Sequence, residues 1–148
     1  MPDGAIRSRV TVEEIRDFAA RDFPGNPSVC EEVGPGWAQV VLSASTGHLR
    51  PGGIVSGPTI FGACDAALYY ACFTVLGIEP MVLTSDLAIR FLRPAFGPLL
   101  RARADLVSTG RRNLCGNVIA FTDSPSEPVA VAQGVYVHPA ARGPRPGA

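Results

Sequence analysis

The chain has no lysine: all 13 of its basic residues are arginine, balanced by 13 acidic residues for a formal net charge of zero over 148 residues. A neutral chain has no electrostatic reason to hold a phosphate backbone, which argues against nucleic-acid binding. Histidine is scarce, with only His48 and His138, and the four cysteines (Cys30, Cys64, Cys72, Cys115) form no Cys-x-x-Cys pair. Those spacings exclude a structural zinc site and a thioredoxin-type redox pair, so neither a metal nor a resident cofactor is expected. The thiols read as free and mostly buried in a reducing compartment. Residues 1–7 hold no apolar run followed by small residues, so no signal peptide is read and a cytoplasmic location is expected.

What is abundant is apolar surface. Hydrophobic residues make up 47% of the chain and charged residues 18%, too apolar for disorder and uneasy for a small monomer with much surface to cover. One domain that oligomerises fits these numbers. The expected boundaries are a tail over residues 1–10, the domain over 11–138, and a small-residue, Pro- and Arg-rich tail over 139–148.

Along the chain, Thr11 precedes Val12, Ile15, Phe18 and Ala19 at helical spacing, with Glu14 completing a capping box, and the helix stops before Pro24-Gly25-Asn26-Pro27. Residues 28–33 and 37–44 read as a hairpin around Gly34-Pro35-Gly36, followed by a Gly- and Pro-rich loop over 45–56. Residues 57–76 form a twenty-residue apolar segment, with Pro58 suited to a first turn, Gly77 to a stop, and Asp65 as its sole charge. That length could cross a bilayer, but a central carboxylate and the lack of basic flanks point to a helix wrapped in protein. No membrane association is expected.

Four alternating stretches follow, over 82–92, 99–108, 113–122 and 129–138. In the first of them, strict alternation puts Leu83, Leu87, Ile89 and Phe91 on one face, with Thr84, Asp86 and Arg90 on the other. In the last, Val129, Val131, Val135 and Val137 oppose Ala130, Ala132, Gly134 and Tyr136, so both faces should be covered. The fold class is α+β: an antiparallel sheet curled around one long buried helix, with an extra N-terminal helix. One sheet cannot enclose a helix fully, and a second copy of the chain is the simplest cover.

Asp65 is the residue that needs explaining. A carboxylate on an apolar helix needs a partner, such as Arg90, or a wet edge, or a task as base or nucleophile in a cleft. At the helix start, Ser56-Gly57-Pro58 is either an ordinary entry turn or a place where free N–H groups and the helix dipole polarise a carbonyl. Gly57 and Asp65 lie eight residues apart, about 12 Å along a helix, too far to act on one carbonyl within a protomer. Two antiparallel helices across a dimer axis would bring one chain's Gly57 to the other's Asp65.

These residues resemble the PaaI-like hotdog-fold acyl-CoA thioesterases of the phenylacetate-pathway type, over roughly residues 36–138. The resemblance is carried by Gly52-Gly53-Ile54-Val55-Ser56-Gly57-Pro58-Thr59, Ala63-Cys64-Asp65-Ala66-Ala67, Thr84-Ser85-Asp86-Leu87-Ala88-Ile89-Arg90-Phe91-Leu92-Arg93-Pro94-Ala95 and Gly110-Arg111-Arg112. It implies hydrolysis of an acyl-CoA in a homodimer or dimer of dimers, with CoA entering only as part of the substrate. By position, Gly57 matches the N–H that polarises the thioester, Asp65 the catalytic carboxylate, and Thr84 a supporting hydroxyl. Arg93, Arg111 and Arg112 become candidate contacts to the CoA phosphates. Phe61, Leu68 and Tyr69 become candidate walls of the acyl pocket. Two departures, Ser56-Gly57-Pro58 where many relatives carry His-Gly-Gly and Arg50 where an amide is common, keep open a non-catalytic acyl-CoA or fatty-acyl binding module. Cys64 has no basic neighbour in sequence to make it a nucleophile.

Overall fold

The computed structural model describes residues 7–139, so most of both expected tails lies outside the described residues. Within the expected N-terminal tail, Val10 is buried and the N–H of Arg9 donates to the carbonyl of Thr74 at 2.8 Å.

The first helix, α1 (Val12–Asp22), begins at Thr11, and the capping box with Glu14 is formed in both directions. Its buried face, Ile15 and Phe18, packs against the first strand and the central helix. Strands β1 (Val29–Gly34) and β2 (Trp37–Ser43) form the expected hairpin. The Gly- and Pro-rich loop contains a 3₁₀ turn (Thr46–His48) and a short ladder of β3 (Leu49–Arg50) with β4 (Ile54–Val55). Helix α2 spans Gly57–Leu76, with Ser56 as its N-cap and Gly77, at φ 84°, at its C-terminal end. That positive φ suits glycine alone among common residues.

Strands β5 (Leu83–Phe91), β6 (Leu99–Thr109), β7 (Asn113–Phe121) and β8 (Ala130–Val137) complete a six-stranded antiparallel sheet in the order β1-β2-β6-β7-β8-β5. The sheet curls around α2, which is the hotdog fold. Helix α2 meets the bilayer test for length and composition, yet eleven of its residues are buried against the protein itself.

Two glycines set how closely helix and sheet approach. A Cβ on Gly116 would sit 2.6 Å from the Leu68 side chain, and one on Gly134 would sit 2.8 Å from it. Leu68 is fully buried in the notch these glycines leave on β7 and β8. This contact fixes the height of α2 above the sheet one turn after Asp65.

One expected face assignment is reversed. The pairing of β5 with β8 matches Leu83 to Val137 and Thr84 to Tyr136, then slips at Ser85 so that Asp86 faces Val135 and Leu87 faces Gly134. Directly paired residues share a face, so Thr84 joins Leu87, Ile89 and Phe91 on the helix side, while Leu83 turns outward. A one-residue bulge inverts every side chain before it, which strict alternation cannot anticipate.

Candidate active site

Beside Asp65 lies a cavity of about 500 Å³, bounded by α1 (Phe18, Phe23), the following loop (Asn26), α2 (Asp65, Tyr69) and the start of β5 (Thr84). Four aromatic residues, Phe18, Phe23, Tyr69 and Tyr136, stand in its walls: the Phe23 and Tyr69 rings meet edge-on at 6.3 Å, and Tyr69 stacks on Tyr136 at 6.0 Å. The Tyr69 hydroxyl donates to the carbonyl of Pro80 at 2.9 Å, and burial pushes its pKa up to about 12.

The carboxylate of Asp65 is partly buried and has no arginine partner among the described residues. Arg90, the partner considered from the sequence, is paired with Val131 on the outer face of the sheet. Two hydroxyls serve Asp65 instead. Thr84 Oγ1 donates to Asp65 Oδ1 at 2.9 Å, and Tyr136 Oη donates to the same oxygen. Tyr136 Oη also lies 3.0 Å from the main-chain carbonyl of Asp65. Burial first, then the charge of Asp65, pushes the Tyr136 pKa far above its ordinary value, so its hydroxyl stays protonated and acts as a donor.

Thr84, expected as a supporting hydroxyl, lies within hydrogen-bonding distance of Asp65, and the bulge at Ser85 is what turns it toward the helix. Tyr136 was not among the residues singled out from sequence. Its only signal was one large polar-tipped residue on a strand face otherwise made of Ala130, Ala132 and Gly134.

At the start of α2 the N-cap consumes most of the free donors. Ser56 Oγ accepts from the Thr59 N–H at 3.4 Å, the Ile60 N–H donates to the Ser56 carbonyl at 3.1 Å, and Pro58 has no N–H. Gly57 is left as the first-turn N–H without a partner among the described residues. The Phe91 ring lies over it, 3.4 Å from where a Cβ would stand.

Tyr69 lines the cavity, but the other two expected acyl-pocket residues do not. Leu68 is fully buried in the helix–sheet contact, and Phe61 is 37% exposed on the open side of α2. Arg93, Arg111 and Arg112 are exposed in the turns after β5 and between β6 and β7, with no ion pair among the described residues. His48 caps its own 3₁₀ turn through Ser45. Burial pushes the thiol pKa values of Cys30, Cys64 and Cys72 up to about 12, which leaves them unreactive. Among the described residues no cluster of His, Cys, Asp and Glu could hold a metal.

The family model described as Thioesterase superfamily matches residues 52–129. The curated protein SSO1253 of Saccharolobus solfataricus, named as an inferred esterase, is 29% identical over 125 residues, 84% of this chain and 77% of its own length. A crystal structure of an inferred thioesterase from Silicibacter sp. TM1040 superposes with a TM-score of 0.80 at 26% identity, covering 90% of this chain and 95% of the other. The PaaI protein of the Escherichia coli phenylacetic acid degradation operon has a TM-score of 0.71 at 20% identity, covering 86% and 93% of the two chains. At that identity the last likeness speaks for the fold.

Proposed function

The chain belongs to the Thioesterase superfamily, and from that premise we propose that it hydrolyses an acyl-CoA to free CoA and a carboxylic acid. The observation that carries this reading is Asp65, the only charged side chain on α2, set at the wall of an aromatic cavity and oriented by hydroxyls. A carboxylate that no arginine pairs among the described residues is suited to take a proton from water as its oxygen adds to the thioester carbonyl, or to attack that carbonyl itself, in which case water then cleaves the resulting mixed anhydride to the acid and restores Asp65. Collapse of the tetrahedral species breaks the C–S bond and releases CoA as the thiolate. The unpaired N–H of Gly57, at the positive end of the helix dipole, is suited to the developing oxyanion. The acyl group occupies the cavity lined by Tyr69, and Arg93, Arg111 and Arg112 contact the phosphates of CoA.

In this proposal the two halves of each site come from two copies of the chain. Among the described residues strand β5 is an open edge, paired on one side only, and Phe91 beside Gly57 is 53% exposed. An exposed edge with apolar residues invites a second β5. Mixing two inactive variants tests the shared site. Asp65→Asn removes the carboxylate; Gly57→Pro removes the N–H and suits the backbone before it, since Ser56 is already extended at φ −68° and ψ 152°. If the site is shared, refolding the two together restores about a quarter of wild-type CoA release, because half of the dimers are hybrids with one intact site each. Activity no higher than that of either variant alone would overturn the shared site.

The non-catalytic module remains the rival, resting on Ser56 and Arg50. Thermal stabilisation by a panel of acyl-CoAs without CoA release from any of them would establish it in place of hydrolysis.

A further inference from the structure

We infer that Tyr136 is a positioning residue that ties Oδ1 of Asp65 to the sheet and thereby makes Oδ2 the oxygen presented to the substrate. The inference rests on the hydrolase reading for its kinetics and on geometry alone for its structural claim. All the hydrogen bonds that the Asp65 side chain accepts among the described residues fall on Oδ1, one from Thr84 Oγ1 at 2.9 Å and one from Tyr136 Oη. No buried side-chain oxygen among the described residues lacks a partner, so Oδ2, which accepts none, is reached by solvent from the cavity that Asp65 lines.

The two donors hold the carboxylate from one direction. Both come from inner-face positions of adjacent strands, because Thr84 and Tyr136 are directly paired across β5 and β8. An aspartate at a helix surface otherwise rotates about two side-chain bonds, and two donors on one oxygen stop both. Neutral hydroxyls achieve this without cancelling the charge, as an arginine would.

Of the two donors, Tyr136 is the better held. It is 2% exposed, its ring stacks on Tyr69 with planes 29° apart, and Tyr69 is in turn bonded to Pro80. Thr84 is exposed on the edge strand. Leu68 in the Gly116 and Gly134 notch keeps α2 low enough for the hydroxyl of Tyr136 to reach the helix.

The test is Tyr136→Phe, which keeps the ring and removes the donor, measured in the wild-type and Asp65→Asn backgrounds. In the wild-type background kcat for CoA release falls about tenfold, with KM held within about twofold and the melting temperature within a few degrees. In the Asp65→Asn background the same substitution changes the residual rate by less than about twofold, because the group it orients is gone. An unchanged kcat, a loss confined to KM, or an equal loss in both backgrounds would each overturn the inference. A crystal structure of Tyr136→Phe supplies a readout independent of activity, with Asp65 expected in a new or mixed side-chain rotamer. Wild-type protein inert toward every acyl-CoA tried would sink the hydrolase reading, and the crystal structure would then decide the positioning claim: an unmoved Asp65 carboxylate overturns it.

Discussion

The two halves of α2 differ in composition and in fate: four of nine residues are hydrophobic from Gly57 to Asp65, against eight of nine from Ala66 to Thr74. From Ala66 to Thr74 only Tyr69 is not buried, and the protomer encloses this half with its own sheet and α1. From Gly57 to Asp65 the helix shows Pro58, Phe61 and Gly62 to the outside, leaves the N–H of Gly57 without a partner among the described residues, and carries the one charge. Apolarity in the second half is core. In the first half Ile60, Ala63 and Cys64 are core as well, and only Phe61, with Pro58 and Gly62 beside it, is surface; surface of that kind beside a sheet edge is where the proposed second subunit and substrate would meet the chain. The contrast predicts that substitutions at the uncovered positions and the charge of the first half change activity and spare stability, while those at the buried positions of the second do the reverse.

The largest effect should come from Asp65→Asn, expected to lower kcat for CoA release by about a thousandfold while leaving the melting temperature within a few degrees. A stopped assay of free thiol with a calorimetric scan on the same samples checks both parts. If the variant instead unfolds, Asp65 is a structural residue and the contrast fails at its most important point. One turn on, Leu68→Ala removes a fully buried side chain from the notch between Gly116 and Gly134 and should cost about 3 kcal/mol in urea unfolding. Most of that is lost packing, since the strands have no side chain at those positions to fill the space.

How much of this was legible beforehand follows the same divide. The bounds of α2 could be read to the residue because Pro58 and Gly77 punctuate it, and the six strands of the main sheet could be read to within a residue or two from alternation and turns, while the two-residue strands β3 and β4 were read as loop. Asp65 and Gly57 stood out because a lone charge and a glycine before proline are local features. The Thr84 contact was implied only by resemblance, and alternation argued against it, because the slip at Ser85 is a property of two paired strands rather than of one. Tyr136 was invisible for a related reason: it is 71 residues from Asp65, and only the closed sheet brings them together. Leu68 was expected at the acyl pocket and is found buried in the glycine notch, because helical spacing cannot say which apolar side chain meets such a notch.

Gly134→Ala probes the border between the halves. The new Cβ would lie 2.7 Å from Leu87 Cδ1, 2.8 Å from Leu68 Cδ2 and 3.0 Å from the main-chain oxygen of Asp86. The side-chain neighbours can shift but the backbone oxygen cannot do so cheaply, so about 2 kcal/mol of stability should be lost. Any lift of Leu68 also raises α2 near Asp65, so kcat should fall several-fold in the fraction that remains folded. A stability loss with no change in kcat would mean that the height of the helix does not govern the site.

The smallest effect comes from a place that belongs to neither half. On the outer face of the sheet, Arg101 meets Glu31 with Nε 3.0 Å from Oε2, and Gln39 donates to the same carboxylate at 3.0 Å. The hydrogen bond from Arg101 is the main cause holding the Glu31 carboxyl below its usual pKa, against an opposing effect of burial. A carboxyl whose pKa is lower folded than unfolded contributes stability above the unfolded value, near 4.3, and loses that contribution as pH falls through the folded value. Both side chains are still more than a quarter exposed, so solvent screening holds the contribution below about 1 kcal/mol. Glu31→Gln should therefore lower the urea midpoint slightly at pH 7, by an amount that shrinks toward zero at pH 3, with CoA release unchanged at neutral pH. The pair lies on the side of the sheet away from α2, so a change in kcat here would mean that the outer face communicates with the site and that activity is not confined to the exposed half of the helix.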